Sequence, residues 1–301
     1  MPNTSTSSID DAVDRFVATS RYTLQERKGV MRDSLMFEAL PLNEGPNVTV
    51  PKYGQVTTTG LTEGVDMTNA QEITDAPTVV TPAEYGAKVI LTKMMLMTVR
   101  DSFFTVATRI LRDSFNRQQN QTLSDDLDNF SIALGSAGTA LNIGHAMAGF
   151  SSLKYNAPAA GAAGRGGEPA PDPISLILTP AQIHSLRKTM VGGVGAAAAT
   201  QITPEMERAG KPEGSFTIDG IPGLTVKSNI DIQKDTGDDA KGGMVSKMAI
   251  QGAELGGTEV DKEWDQSLRA WEVVIVGRWG RTEYDDNFGR EFLFDSALPT
   301  S

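Results

Sequence analysis

Apolar and polar side chains alternate over two short stretches in the first third of the chain, as they do in a strand with one covered face. In 47–53 (NVTVPKY) Val48 and Val50 share a face, and Pro51, which has no donor for a ladder, favours a sheet edge. In 84–92 Tyr85, Ala87, Val89 and Leu91 share one face, while Glu84, Lys88 and Thr92 fall on the other. Between them runs GLTEGVDMTNAQEITDAP, residues 60–77. Hairpin connections usually take roughly two to five residues, so a polar, acidic link of this length is expected to have a role of its own.

The period then changes. In TVRDSFFTVATRILRDSF, residues 98–115, Val99, Phe103, Val106, Ile110, Ala107, Leu111 and Phe115 recur at three- and four-residue spacing, which predicts an amphipathic helix with Arg100, Arg109 and Arg112 on its polar side. Continued through Leu123, Leu127 and Phe130 it would be about 50 Å long, although the polar run NRQQNQ interrupts its stripe. A shorter helix is predicted over 143–154. The Ala-, Gly- and Pro-rich 157–173 cannot bury enough to order itself. Next, ISLIL at 174–178 reads as a buried strand, followed by a helix with Thr179 as N-cap, Pro180 at its first position and Gln182 completing a capping box.

A second loose insert, 191–214, precedes the short strands of SFTIDGIPGLTVKSN. Along LRAWEVVIVGRWGR, residues 268–281, Trp271, Val273, Ile275 and Trp279 alternate with Ala270, Val274, Val276 and Arg278, which predicts a strand covered on both faces. At the other end, Ile9, Val13, Phe16 and Val17 give a helical pattern in a segment too small for a core, expected to be an arm. Helices and strands do not alternate regularly, so the fold class is α+β.

Composition removes several functions. With 301 residues and 39% hydrophobic composition the chain can build a substantial core, and no apolar run reaches the roughly 18 residues that cross a bilayer. Neither a basic start nor an apolar segment marks a signal peptide, so a cytosol-like compartment is expected. The absence of cysteine excludes disulfides, thiolate catalysis and thiolate metal sites. A formal charge of -11 opposes non-specific binding to nucleic-acid backbones and also suits plain solubility.

Candidate chemistry is sparse. His145 and His184 each fall in a predicted helix, away from any metal or triad spacing, and read as structural or surface residues. Asp125, Asp126 and Asp128 lack the glycine turn and terminal glutamate of a calcium loop and read as a solvated helix face. GRGG at 164–167 and GGVG at 192–195 lack the Lys-Ser/Thr of a phosphate loop and read as linkers. Trp264, Trp271 and Trp279 read as packing residues, whereas Arg278, Arg281 and Arg290 read as exposed interface arginines. No catalytic, cofactor-binding or metal site is expected, so the chain is not expected to be an enzyme.

The stretches TVPKYGQ, LTEGVDMTNAQEIT, ILTPAQIHSL, IDGIPGLTVKSN, GGMVSKMAIQGAE and SLRAWEVVIVGRWGRTEYDDNFGREFLFDS together resemble the major capsid proteins of tailed double-stranded DNA bacteriophages over nearly the whole chain. The resemblance implies the fold named after phage Hong Kong 97 (HK97-like): an N-terminal arm (1–45), an extended-loop (E-loop) hairpin (46–92), a P-domain with a long spine helix and long strands (93–135 and 257–301), and an A-domain (136–256). It further implies pentamers and hexamers of one chain in an icosahedral virion shell assembled in the host cytoplasm. Implied partners are a separate scaffolding protein, a portal at one vertex, possible decoration or cement proteins, and double-stranded DNA held without sequence-specific binding; no membrane and no cofactor is implied.

On that map residues 54–77 form the E-loop tip region, reaching about 40 Å as a two-stranded projection. Its Glu63, Asp66, Glu72 and Asp75 have no Lys or Arg between Lys52 and Lys88 to offset them. Expected partners on a neighbouring subunit are Arg100, Arg109 and Arg112 of the spine helix or Arg278 and Arg281 of the last long strand, with Trp271 and Trp279 packing the P-domain. No lysine is present at the tip for the isopeptide crosslink of the founding member, and the short N-terminus implies no fused scaffolding domain. Two other readings remain open: an encapsulin-like nanocompartment shell protein, told apart by its genomic neighbours, and a small α+β enzyme, told apart by particle mass.

Overall fold

A computed structural model describes residues 29–40, 45, 47–54, 56–64, 66, 70–98, 103–156, 167–191, 215–217 and 223–298. The pattern at Ile9–Val17, Arg100, GGVG at 192–195 and most of both loose inserts lie outside them.

Among the described residues twelve strands form three sheets. The first has the order β1 (Met36–Leu40), β10 (Ile250–Asp265), β11 (Ala270–Glu283), β4 (Ala83–Thr92). The second has the order β5 (Ala133–Gly135), β12 (Gly289–Asp295), β9 (Asp239–Ser246), β6 (Ile174–Leu178), β8 (Leu224–Ser228), β7 (Ser215–Thr217). The third is a two-stranded ribbon of β2 (Val48–Tyr53) and β3 (Asp75–Val80). Helices are α1 (Lys93–Thr98), α2 (Phe103–Asp125), α3 (Ile143–Tyr155) and α4 (Pro180–Val191). The implied boundary at 257 falls within β10, and β12, which that division places with the long strands of the first sheet, pairs with β9 and β5 in the second.

In the first sheet the alternation is followed closely. Ala87, Val89 and Leu91 of β4 and Val273 and Ile275 of β11 face Ala107, Leu111, Phe103, Phe104 and Phe115 of α2, a dry layer between helix and sheet. Gly277 lies under the Phe115 ring, where a Cβ would collide with it. The opposite face of β11 is half-buried at Val274 and Val276, so the strand is sealed on one side and only partly covered on the other.

The spine helix is shorter and more continuous than its stripe suggests. It runs unbroken through NRQQNQ for 23 residues, about 35 Å, and ends in the 3-10 turn Asp126–Asn129. The polar run does not break it because Gln119 and Asn120 are buried. Asn120 accepts from the Met31 backbone N–H at 3.1 Å and donates to Asn229 and Asp231 at 2.9 and 2.8 Å. Arg117 reaches the same Asp231 at 3.2 Å. A buried polar group is tolerated when fully bonded, and this network ties the start of the described chain to helix and loop alike.

Other local rules hold. All of β6 is buried, and after it Thr179 Oγ1 accepts from the Gln182 N–H at 3.3 Å while Gln182 Oε1 accepts from the Thr179 N–H at 3.1 Å. Asn142 and His145 form the equivalent box at α3, giving His145 a capping role with its ring 4.8 Å from that of Phe294. The end of the first Ala/Gly/Pro-rich insert is ordered after all: Ala170 is buried and its N–H donates to Leu153 O at 3.0 Å. Its short apolar side chain and backbone find a place against α3 that composition alone did not reveal.

Candidate functional site: the projecting arm

The ribbon of β2 and β3 pairs from Val48↔Val80 to Tyr53↔Asp75, with Pro51 opposite Pro77. Neither proline has a donor to lose, and each strand has a partner on one side only, so a two-stranded element accommodates both. Beyond the strands Gly54 N–H donates to Thr74 O at 2.8 Å. Further out the Gln71 side chain replaces the ladder, accepting from Thr57 N–H at 2.8 Å and donating to Thr57 O at 2.5 Å.

Three contacts fix the root. Val48 and Val80 pack on Ala253 of β10, with Val50 against them. The chain leaving β3 crosses β11 at Gly280, where any Cβ would strike the Thr81 carbonyl. Lys52 forms an ion pair with Asp285, whose side chain is only 5% exposed, and Tyr284 Oη donates to Pro51 O at 3.3 Å. Carboxylates crowd this corner: burial raises the Glu283 carboxyl above its usual range, and Asp286, Asp285 and Asp126 push it the same way.

Past the root, every described residue from Gly54 to Pro77 is exposed. Glu63, Asp66, Glu72 and Asp75 are among them, and no ion pair engages them among the described residues. The arm also exposes Tyr53 (67%), Leu61 (70%), Ile73 (67%) and Val56. The sequence treated this segment as polar and passed over these side chains; the available signal was single apolar residues in a stretch with no period to bury them.

The expected partner arginines divide. Arg278 lies 3.4 Å from Glu84 and Arg281 pairs with Asp126, so both are already matched within the chain. Arg109 and Arg112 are exposed on α2, and Arg112 has no ion pair among the described residues. Trp279 is 2% exposed and stacks on Tyr85 at 4.8 Å, while Trp271 sits between Trp264 and Phe104 at 5.5 and 5.7 Å.

Two expectations are corrected. The acidic cluster at the end of α2 is a solvated face only in part: Asp125 and Asp128 are exposed, Asp128 beside Lys241, whereas Asp126 is half-buried against Arg281; burial still holds the Asp126 carboxyl above its ordinary value against the pull of Arg281. Arg290 is buried rather than exposed, its guanidinium donating to Ser152 Oγ at 2.8 Å and to the Gly289 and Asn287 carbonyls at 2.6 and 3.0 Å. It also donates to Ser152 O and Asn156 Oδ1, both at 3.4 Å, so acceptors from α3 and from the turn before β12 satisfy the buried guanidinium.

No protein-family model and no curated protein matches this sequence. Solved structures do. The chain is similar to the acidic stable capsid structure of Helicobacter pylori bacteriophage KHP30, with TM-score 0.68 and 10% identity over 98% of each chain. It is similar to the capsid of cyanophage P-SCSP1u, with TM-score 0.64 and 13% identity over 96% of this chain and 95% of that one. It is also similar to the capsid of a native GTA particle, with TM-score 0.63 and 15% identity over 97% and 99%. The likeness extends over the body and the arm alike, and the chain has the HK97-like capsid fold.

Proposed function

We propose that this chain is the major subunit of an icosahedral phage-type head shell, a structural protein rather than an enzyme, which assembles as pentamers and hexamers around double-stranded DNA. The observation that carries the reading is the arm. It is a paired ribbon anchored at its root, and its outer half presents apolar and acidic side chains that nothing among the described residues covers or neutralises. Patches of this kind on a folded body belong to an interface with another molecule. The fold shared with phage and GTA capsids supports a neighbouring copy as that molecule.

Arg112 on the exposed side of the neighbour's α2 fits the arm's Glu63 and Asp66. Each exposed pair contributes about 0–1 kcal/mol, and a closed shell multiplies the contact many times. The acidic wall encloses DNA without gripping it, and a separate scaffolding protein and a portal at one vertex complete the particle in the host cytoplasm. The test is Glu63→Lys with Asp66→Lys, expressed with scaffold and examined by negative stain and light scattering. Folded, soluble subunits without shells are expected. Normal shells would overturn the pairing, and a wild-type chain that stays a small oligomer would overturn the shell.

A further inference from the structure

Among the described residues four carboxylates are buried: Asp231, Asp239, Asp285 and Glu291. A carboxylate out of water ordinarily has a cation beside it, because an unpaired buried charge is costly. Three of the four follow that rule: Arg117 lies 3.2 Å from Asp231, Lys52 pairs with Asp285, and Lys241 stands 3.6 Å from Glu291. Asp239 departs from it. Its side chain belongs to a residue only 6% exposed, and no ion pair engages it among the described residues. Asp239 Oδ1 accepts from the Gly138 N–H at 2.7 Å, and no hydrogen bond among the described residues reaches Oδ2.

Asp239 lines a cavity of about 330 Å³, a size that suits a small organic ligand. α2 ends there at Ser124 and Asp125, so the carbonyl end of the helix adds to the negative potential. Asp128 and Asp235 bring the aspartates of the wall to four, against the two lysines Lys234 and Lys241. Both lysines are turned to other acceptors, Lys241 to Asp128 and Glu291 and Lys234 to the Ser296 carbonyl. Asp235 accepts only backbone N–H groups, from Gly237 and Asp239 at 2.8 and 2.9 Å. Ile232 and Leu293 make part of the wall apolar. A single metal ion does not match this wall, since no three His, Asp or Glu side chains among the described residues are grouped to hold one. Carboxylates on separate elements, with apolar side chains among them, select a long cation whose charges are spaced by methylenes.

We propose that this cavity binds a linear aliphatic polyamine. One ammonium group meets the open oxygen of Asp239, a second meets Asp235 or Asp125, and the methylenes cover Ile232 and Leu293. A lysine side chain from another protein is the poorer occupant, because it brings one charge to a wall with an excess of two. Binding would tie the end of α2 to the start of β9, and it does not depend on the shell reading.

The test is calorimetric titration of spermidine into the purified full chain near pH 7 in about 0.15 M salt. One saturable site per chain is expected. Asp239→Asn, which keeps an acceptor for the Gly138 N–H, should weaken binding about tenfold. Asp125→Asn, at the exposed end of α2 where folding is not at stake, should weaken it about threefold. Asp261→Asn, which removes the same charge from exposed β10, should leave it unchanged. No saturable site, equal weakening by all three variants, or displacement of spermidine by an equal concentration of magnesium would reduce the effect to general counterion attraction and overturn the proposal. N-acetyl-lysine methylamide binding as tightly as spermidine would assign the cavity to a protein side chain, and would equally overturn it.

Discussion

Root and tip of the arm are one ribbon with two different energetic situations. At the root, Val48 and Val80 are buried on Ala253, and the Lys52 charge is placed against a carboxylate that water barely reaches. At the tip, side chains of the same kinds, Leu61 and Ile73 with Glu63 and Asp66, face solvent. The difference teaches that the subunit's stability resides in the body and the root, while the tip contributes nothing to it until a partner arrives. Substitutions at the two places should therefore separate folding from assembly.

The sharpest way to break that separation starts in the body. Trp279→Ala should cost about 3–5 kcal/mol in urea unfolding, because it empties a site sealed between Tyr85 and the core. Asn120→Leu should cost about 3 kcal/mol, since it leaves the Met31 N–H and the Asp231 carboxylate without their buried partner. At the root, Lys52→Met should cost about 1–2 kcal/mol by stranding Asp285, with the loss read as a lower denaturant midpoint at unchanged slope. Leu61→Ser with Ile73→Ser should change subunit stability by less than about 0.5 kcal/mol yet reduce the yield of particles; a large stability loss from this pair would show that the tip packs on its own body.

The smallest expected effect concerns pH. Glu283 has a folded pKa raised above its unfolded value, so the native state holds the proton more tightly, and its contribution to stability is complete below the unfolded value and is lost as pH rises through the folded one. Glu283→Gln should raise the midpoint of thermal unfolding at pH 7 by about 1–2 °C and leave it unchanged near pH 4. A drop at pH 7 would show that the Glu283 charge stabilises the corner.

Periodicity revealed most of the body: the β4 and β11 alternation, the α2 stripe, the buried β6 and the Thr179–Gln182 capping box are local patterns that local geometry satisfies. What the sequence concealed depends on distant partners. Asn120 looked like an interruption because its partners, Asn229 and Asp231, are more than a hundred residues away. Arg281 and Arg290 looked free because Asp126 and Ser152 become neighbours only in the fold. The arm's acidity was plain in the sequence; its exposed apolar residues were not, since isolated apolar positions in a loop carry no period.

Gly280 beneath Thr81 brings the arm's root directly onto a strand of the body, with no side chain between them. A rigid rod set on a sheet in this way is a lever. Over about 40 Å of reach, each degree by which β11 twists moves the far end by about 0.7 Å. About seven degrees of bending in the sheet would thus shift the tip by about 5 Å, the spacing between neighbouring side chains on the surface it covers.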